Sequence, residues 1–397
     1  MKDQIRILAL LGSRVLYGME RANISVLETL KAAGCQVLVV VEDHAGFPAI
    51  PDELSQRHID YVPAPFVGRR HEGFLLHFLF KNPLLFLIGN WKIHKLIRAF
   101  APSHILIPNP FYFLNCMLAL AFTRVPVIYR IGDKPATHNL FWRLLWRLII
   151  ARVDHFVADS KFIQGKLEAL GVPVKRITVI YGAPPLRKQG PNPDCLPENA
   201  QHLLFIGQLV AHKGVDLIVE ALCRIAPDYP QARLTIIGRI SEWSGDDWAR
   251  ALRDRALADP ELRERIAFVG ETENIFSYLA SAAVLVVPSV CEEAYGIVAV
   301  EAKAAARPSI VFPSGALPEL IQHDVDGFIC RDTSVGALIE GLRYYLDDKD
   351  RTLVQGRAAL ASVSHLGIDR FAEEWLNVCR TDLTNKQELV LTSNIAP

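Results

Sequence analysis

Long apolar runs are missing from this 397-residue sequence. The two stretches richest in large apolar residues are HEGFLLHFLFKNPLLFLIGNWKIHKLIRAF, His71–Phe100, and FWRLLWRLIIAR, Phe141–Arg152. Lys81, Lys92, Lys95 and Arg98 interrupt the first, and Arg143 and Arg147 the second. Neither offers the ~18 uninterrupted apolar residues that a spanning helix needs. The N-terminus, MKDQIRILALLGSRVLYGMERA, carries Asp3 and too short an apolar run for a signal peptide. Cysteine is scarce too: there are seven, an odd number, and none forms a C-x-x-C pair. That argues against a zinc site and a disulfide framework and fits a reducing, cytoplasmic compartment. No D-x-D or paired-histidine motif falls in a suitable loop, so no metal ligand is assigned and metal-independent, cofactor-free chemistry is expected. Short tandem repeats and low-complexity tracts are absent.

Net charge is also missing, with 43 basic against 43 acidic residues, but the charge is unevenly placed. Tyr61–Arg152 holds 12 Lys/Arg and 2 Asp/Glu, which leaves 31 basic and 41 acidic residues elsewhere. One face of the protein is therefore expected to meet something anionic. Nucleic acid is excluded as that partner, because the basic stretch is too apolar and no binding module accompanies it.

The chain is too long for one ordinary core. QIRILALL reads as a buried strand, MERANISVLETLKAAG as an amphipathic helix and CQVLVVVED as a second strand; SHILIP, VPVIYRI, DHFVADS and RITVIYG continue the pattern. APPLRKQGPNPDCLPENA carries five prolines and little apolar content, which marks a linker. Alternation restarts with HLLFIG, GVDLIVEALCRIA, ARLTIIG, RIAFVG, AAVLVVPS and RPSIVFP. Strands alternating with helices predict parallel sheets covered on both faces. The expectation is an α/β protein of two doubly wound Rossmann-like domains facing a central cleft. The first spans 1–182, the linker 183–200 and the second 201–366; a helix over 367–384 returns to the first domain, and 385–397 is a frayed tail.

Three stretches of the second half carry candidate chemistry, since ligands of open α/β sheets bind beyond the carboxyl ends of the strands. In FIGQLVAHKGVDLIVEAL a strand ends at Gly207, and Lys213 and Gly214 precede a helix. A helix N-terminus beside a lysine can hold phosphate, and equally this can be a βα turn with a solvated lysine. In SVCEEAYGIVAVEAKAAARPSI, Gly296 permits close approach, and the amides of Gly296, Ile297 and Val298 are the free donors of a helix start. Glu293 sits at the loop tip, placed to accept from sugar hydroxyls. Glu301 lies a turn or so into a mostly apolar helix, where an unpaired carboxylate is costly and calls for a partner. FPSGALPELI reads as a turn and cap.

Taken in order, these stretches, together with LTIIG, IAFVGETENIFSYLASAAVLVVPS and DGFICRD, resemble the C-terminal domain of the retaining GT-B glycosyltransferases of family four, over Leu203–Asp347. The first half is similar more loosely, through GMERANISVLETLKAAGCQVLVV and VADSKFIQGKLEALGVPVKRITVIYGAP. The resemblance implies that Glu293 contacts the donor sugar, Glu301 the ribose and Lys213 the diphosphate. Lys213 and Glu293 are then the catalytic candidates, with Gly18, Gln208, Tyr295, Gly296, Ile297, Val298 and Glu301 also on the donor. It implies a nucleotide-sugar donor, UDP- or GDP-linked, and retention without an obvious nucleophile.

Two departures stand out. Gln208 replaces the family's usual arginine, which removes a charged hydrogen bond of about 1.5–3 kcal/mol. Gly132 replaces its common histidine, which leaves Arg130, Asp133 and His138 as acceptor-side candidates, His138 reading better as a helix-start residue. Basic and aromatic residues mixed over 71–100 and 141–152 fit a helix lying on an anionic membrane surface or a core helix with solvated basic edges. A glycan or lipid-linked acceptor, used in cell-surface polysaccharide or glycolipid assembly at the cytoplasmic face of a membrane, follows from the first. The alternatives are a nucleotide-sugar epimerase of the same architecture and a non-catalytic, transferase-like sugar-binding protein.

Overall fold

The computed structural model describes residues 4–13, 16, 18–43, 49–66, 83–183, 197, 199–239, 246–272 and 274–393, with side chains to 381. Most of the expected linker, at 184–196 and 198, lies outside these residues, as do 71–82 and the last four residues of the tail. The chain divides into two compact units, Met1–Tyr181 with Asp369–Pro397, and Gly182–Ile368.

The first unit is built on seven parallel strands: β1 (Arg6–Leu11), β2 (Gln36–Glu42), β3 (Asp60–Ala64), β4 (His104–Ile107), β5 (Val127–Ile131), β6 (His155–Ala158) and β7 (Ile177–Val179), in the order β3-β2-β1-β4-β5-β6-β7. Central strands such as RILALL and HILI are apolar beyond their first residue because helices cover both faces of the sheet. The helices are α1 (Gly18–Ala32), α2 (Ala49–Gln56), α3 (Pro83–Phe100), α4 (Pro110–Ala121), α5 (Leu140–Arg152) and α6 (Lys161–Ala169). Strand order reverses between β1 and β4, so right-handed crossovers put α3, α4 and α5 on one face, where α4 packs against both of its neighbours.

The second unit repeats the plan with six parallel strands: β8 (His202–Ile206), β9 (Arg233–Ile237), β10 (Ile266–Gly270), β11 (Val284–Val287), β12 (Ser309–Val311) and β13 (Gly327–Ile329), in the order β10-β9-β8-β11-β12-β13. Its helices are α7 (Val215–Ile225), α8 (Asp246–Ala258), α9 (Pro260–Arg263), α10 (Ile275–Ser281), α11 (Ile297–Ala304), α12 (Leu317–Leu320), α13 (Val335–Leu346) and α14 (Asp350–Val363). Two apolar clusters lie on the faces of this sheet, one around Ile218, Leu222 and Phe312, the other around Leu285, Ala302 and Leu317. The last helix, α15 (Ile368–Ser393), belongs to the first unit, where it buries Trp375 and Cys379 and its Arg370 donates to the Tyr181 carbonyl at 2.6 Å.

Two strands depart from the sequence reading. DYVPA forms β3 although it carries Pro63 and mostly exposed side chains. Both are tolerated because β3 is an edge strand. GFI is a three-residue strand, too short to show a period.

Candidate donor site

In the second unit the reversal of strand order falls between β8 and β11, the position where doubly wound sheets bind ligands. The chain leaves β8 into a single 3-10 turn, Ala211–Lys213, and then Gly214, which caps α7 with φ 70°. A Cβ on Gly214 would stand 2.0 Å from the Pro288 carbonyl oxygen, so only glycine lets the two loops close up. Val290 and Cys291 donate their amides to the His212 carbonyl, at 3.0 and 3.3 Å, which stitches the loop after β11 to the loop after β8. Lys213 and Glu293, 80 residues apart, thereby meet at 2.6 Å. Ser289 donates to the same Glu293 oxygen at 2.5 Å. Burial and the Lys213 charge hold His212 below the usual imidazole range.

FPSGALPELI does more than turn. Gly315 has φ 61°, and a Cβ there would lie 2.2 Å from the Glu293 carbonyl oxygen and 2.3 Å from its nitrogen. Ala316 donates its amide to that carbonyl at 2.8 Å, and Ser314 donates to the Cys291 carbonyl at 2.5 Å. The loop after β12 is thus the floor on which Glu293 rests. Ser289 and Gly315 had no site role in the sequence reading. The signal for Ser289 was its spacing of four from Glu293; the role of Gly315 depends on a contact made only in the fold.

Gly296 opens α11 with φ 90° and no side-chain cap, leaving the amides of Gly296, Ile297 and Val298 at an open helix start. Glu301 follows a turn later, its neighbours Ala299, Val300, Ala302, Lys303 and Ala304 all buried. Among the described residues its carboxylate has no hydrogen-bond or ion-pair partner, and burial pushes its pKa up to about 7. Lys303, two residues on, is paired internally with Asp326 at 2.5 Å and Ser362 at 3.1 Å, which anchors the helix from behind. Tyr295 is buried and donates its hydroxyl to the Gly182 carbonyl at 3.0 Å, so it braces the loop from within the unit. Gln208 is half-buried just after β8, and its carbonyl accepts from Val210.

In the first unit two of the acceptor-side candidates, Arg130 and Asp133, lie close enough to Asp159 to act on its charge. Arg130 does not face outward as an anion receptor. It is buried, bonded to Asp159 and to Asn23, both at 2.6 Å. Burial pushes Asp159 up to about 6, opposed by the Arg130 charge beside it. Gly132 is close to this pair, since a Cβ there would lie 2.9 Å from an Asp159 carboxylate oxygen. Asp133 is exposed on the next residue. His138 is exposed, 6.2 Å from the Trp142 ring, one residue before the Asn139 cap of α5. Gly18 is the exposed first residue of α1, with open space around its Cα. Among the described residues no group of His, Cys, Asp and Glu is placed to hold a metal ion, and no helix is long and apolar enough to cross a membrane.

Two parallel α/β units, each with its strand order reversed about the first strand, define the GT-B class of fold. Solved structures agree: Anabaena HepE in complex with UDP-glucose superposes with a TM-score of 0.78 at 18% identity, over 95% of this chain and 100% of that one. Residues 17–183 match the Glycosyltransferase Family 4 model and residues 200–348 the Glycosyl transferases group 1 model. The chain therefore belongs to the group 1 glycosyltransferases. An uncharacterized glycosyltransferase of Haemophilus influenzae is 25% identical over 177 residues, 44% of this chain and 48% of the relative. The GDP-mannose-dependent alpha-(1-6)-phosphatidylinositol monomannoside mannosyltransferase of Mycobacterium tuberculosis is 31% identical over 164 residues, 39% of this chain and 41% of the relative. The matched stretch thus spans less than half the length of these curated relatives.

Proposed function

We propose that this protein is a retaining hexosyltransferase that moves a sugar from a UDP- or GDP-linked donor to a glycan or lipid-linked acceptor in cell-surface polysaccharide or glycolipid assembly, at the cytoplasmic face of a membrane. One observation carries the reading. Lys213 and Glu293 arrive from opposite sides of the strand reversal and meet at 2.6 Å, beside an open helix start that carries Glu301, without a partner among the described residues, one turn further on. Those groups match the parts of a nucleoside diphosphate sugar: cation and amides for the diphosphate, one carboxylate for the sugar and one for the ribose. The UDP-glucose held by the HepE structure and the GDP-mannose named for the mycobacterial relative support a nucleotide-sugar donor.

In the proposed reaction the bond from sugar C1 to the β-phosphate oxygen breaks, and its electron pair stays on the phosphate. Lys213 and the amides of Gly296, Ile297 and Val298 stabilise the charge that grows there, as fixed donors do in a preorganised site. The acceptor oxygen attacks C1 from the face the phosphate is leaving and passes its proton to the departing phosphate oxygen. Positive charge at the leaving group comes from the chain itself, so activity is expected to survive EDTA. Calorimetric titration with UDP and GDP, on the wild type and on Lys213→Ala, tests the donor site. Loss of one charged hydrogen bond, about 1.5–3 kcal/mol, should weaken the preferred nucleotide roughly ten- to hundredfold. Equal affinity in the variant, or no binding of either nucleotide to folded protein, overturns the assignment.

A further inference from the structure

We propose that Lys303 is a positioning residue for donor recognition: its buried ion pair with Asp326 fixes the roll of α11, and with it the direction in which Glu301 presents its carboxylate to the ribose. This rests on the donor reading above and names the group that holds its ribose-binding carboxylate in place.

α11 is short, with the sequence IVAVEAKA, and two turns of helix have little stability of their own. Its inward side is made largely of small side chains: Ala299, Ala302 and Ala304 are buried, as is Ala305 just beyond its end. Methyl groups let neighbouring elements approach but make shallow ridges, so they do little to stop the helix rotating about its axis. Lys303 is the exception. It is 3% exposed, and a step of two residues puts it about 200° round the helix from Glu301. Its ammonium donates to Asp326 at 2.5 Å and to the Ser362 hydroxyl at 3.1 Å. Asp326 is itself held: its amide donates to the Gln322 carbonyl at 3.1 Å, and its other carboxylate oxygen accepts from the Gln322 amide at 2.8 Å. Lys303 thus ties α11 to the turn before β13 and, through Ser362, to α14. Arg307 pins the chain past the helix end, donating to the Ala282 and Ala280 carbonyls at 2.7 and 2.6 Å. The far end of α11 is fixed by Arg307 and its roll by Lys303. Stability does not account for this pair, because two buried charges can be exchanged for uncharged groups of similar size with little loss, or a gain, in stability. What the pair supplies and the methyls do not is direction, since a hydrogen bond to a fixed carboxylate has a narrow range of good geometries.

The test is calorimetric titration of the full chain with UDP and GDP and with their 2′-deoxy counterparts. The wild type is expected to bind its preferred nucleotide roughly ten- to hundredfold more tightly than the 2′-deoxy form, the worth of one charged hydrogen bond. Glu301→Ala should lose that preference. Lys303→Met combined with Asp326→Asn removes both charges at once, so neither is left buried alone, and the carboxamide oxygen can still accept from the Gln322 amide. This double variant is expected to keep a urea midpoint near that of the wild type while its preference for the ribonucleotide falls toward equality. A pair that served stability alone would move the urea midpoint and leave the preference as it was. Wild-type preference in the folded double variant therefore overturns the proposal. Lys303→Met with Asp326→Leu is the second form of the test; if neither double variant folds, the pair serves folding and the proposal falls. Preference lost in Glu301→Ala but kept in the folded double variants removes the role of Lys303 alone. A wild type that binds neither nucleotide, or binds the ribose and deoxyribose forms equally, removes the ribose assignment of Glu301 and this inference with it.

Discussion

Glu301 is the residue whose environment is least explained by folding alone. A carboxylate in a buried helix with no partner among the described residues favours its protonated form, and burial pushes its pKa up to about 7. The folded chain therefore holds this proton where the unfolded chain, with a carboxyl near pH ~4.3, has lost it. Folding takes up a proton across that window, so stability is highest below it and falls as pH rises through it. Glu301→Gln should abolish the fall. In urea denaturation the variant is expected to match the wild type near pH ~4 and to exceed it by on the order of 2 kcal/mol at about pH 8, after discounting for the partly exposed edge of the side chain. Donor hydroxyls would favour the ionised form, so nucleotide affinity should strengthen in the wild type as pH rises through about 7 and be flatter in Glu301→Gln. Arg130 shows the opposite case. Its position at a strand end suggested an outward anion receptor, yet Asp159 and Asn23 neutralise it inside the unit, partners that lie 29 and 107 residues away and belong to no local pattern.

At the scale of elements, three loops after β8, β11 and β12 build one site, and glycines decide how closely they approach. Gly315→Ala is the sharpest probe. It forces a β-carbon into the Glu293 backbone at a positive φ of 61°, a combination that the loop can relieve only by moving Glu293. The expected outcome is a fall in kcat/KM of about tenfold or more, equivalent to at least ~1.4 kcal/mol at the transition state, with far-UV circular dichroism unchanged. A variant with wild-type kcat/KM would show that the loop tolerates displacement. Legibility followed periodicity here. VLVV and LTII announced central strands because both faces of the sheet are covered. DYVPA did not, since an edge strand needs neither an apolar face nor every amide. FPSGALPELI looked like an ordinary turn because its function is to support a backbone more than twenty residues away.

At the scale of the whole chain, the two units have separate cores, and α15 contributes to the first. Trp375, almost fully buried on that helix, packs edge-on to Phe371 with ring centroids 6.5 Å apart. Trp375→Ala should cost the first unit about 3–5 kcal/mol. Its unfolding transition is then expected to move to lower urea while UDP or GDP still protects the second unit. A single transition shifted as a whole would show instead that the units unfold together.

The sequence by itself determined what depends on local pattern. The alternation of strand and helix, the break into two domains' worth of core, the glycine-started helix carrying Glu301 and the Lys213 turn are all written in short-range periodicity and turn chemistry. Only the tertiary structure decided what depends on which strands lie side by side. Parallel strand order brought Lys213 to Glu293 across 80 residues, placed Gly315 under Glu293 and turned Arg130 inward to Asp159. The physical reason is that hydrophobic burial specifies which face of each element goes inward, while the partners met at its polar end follow from the order in which the strands are laid together.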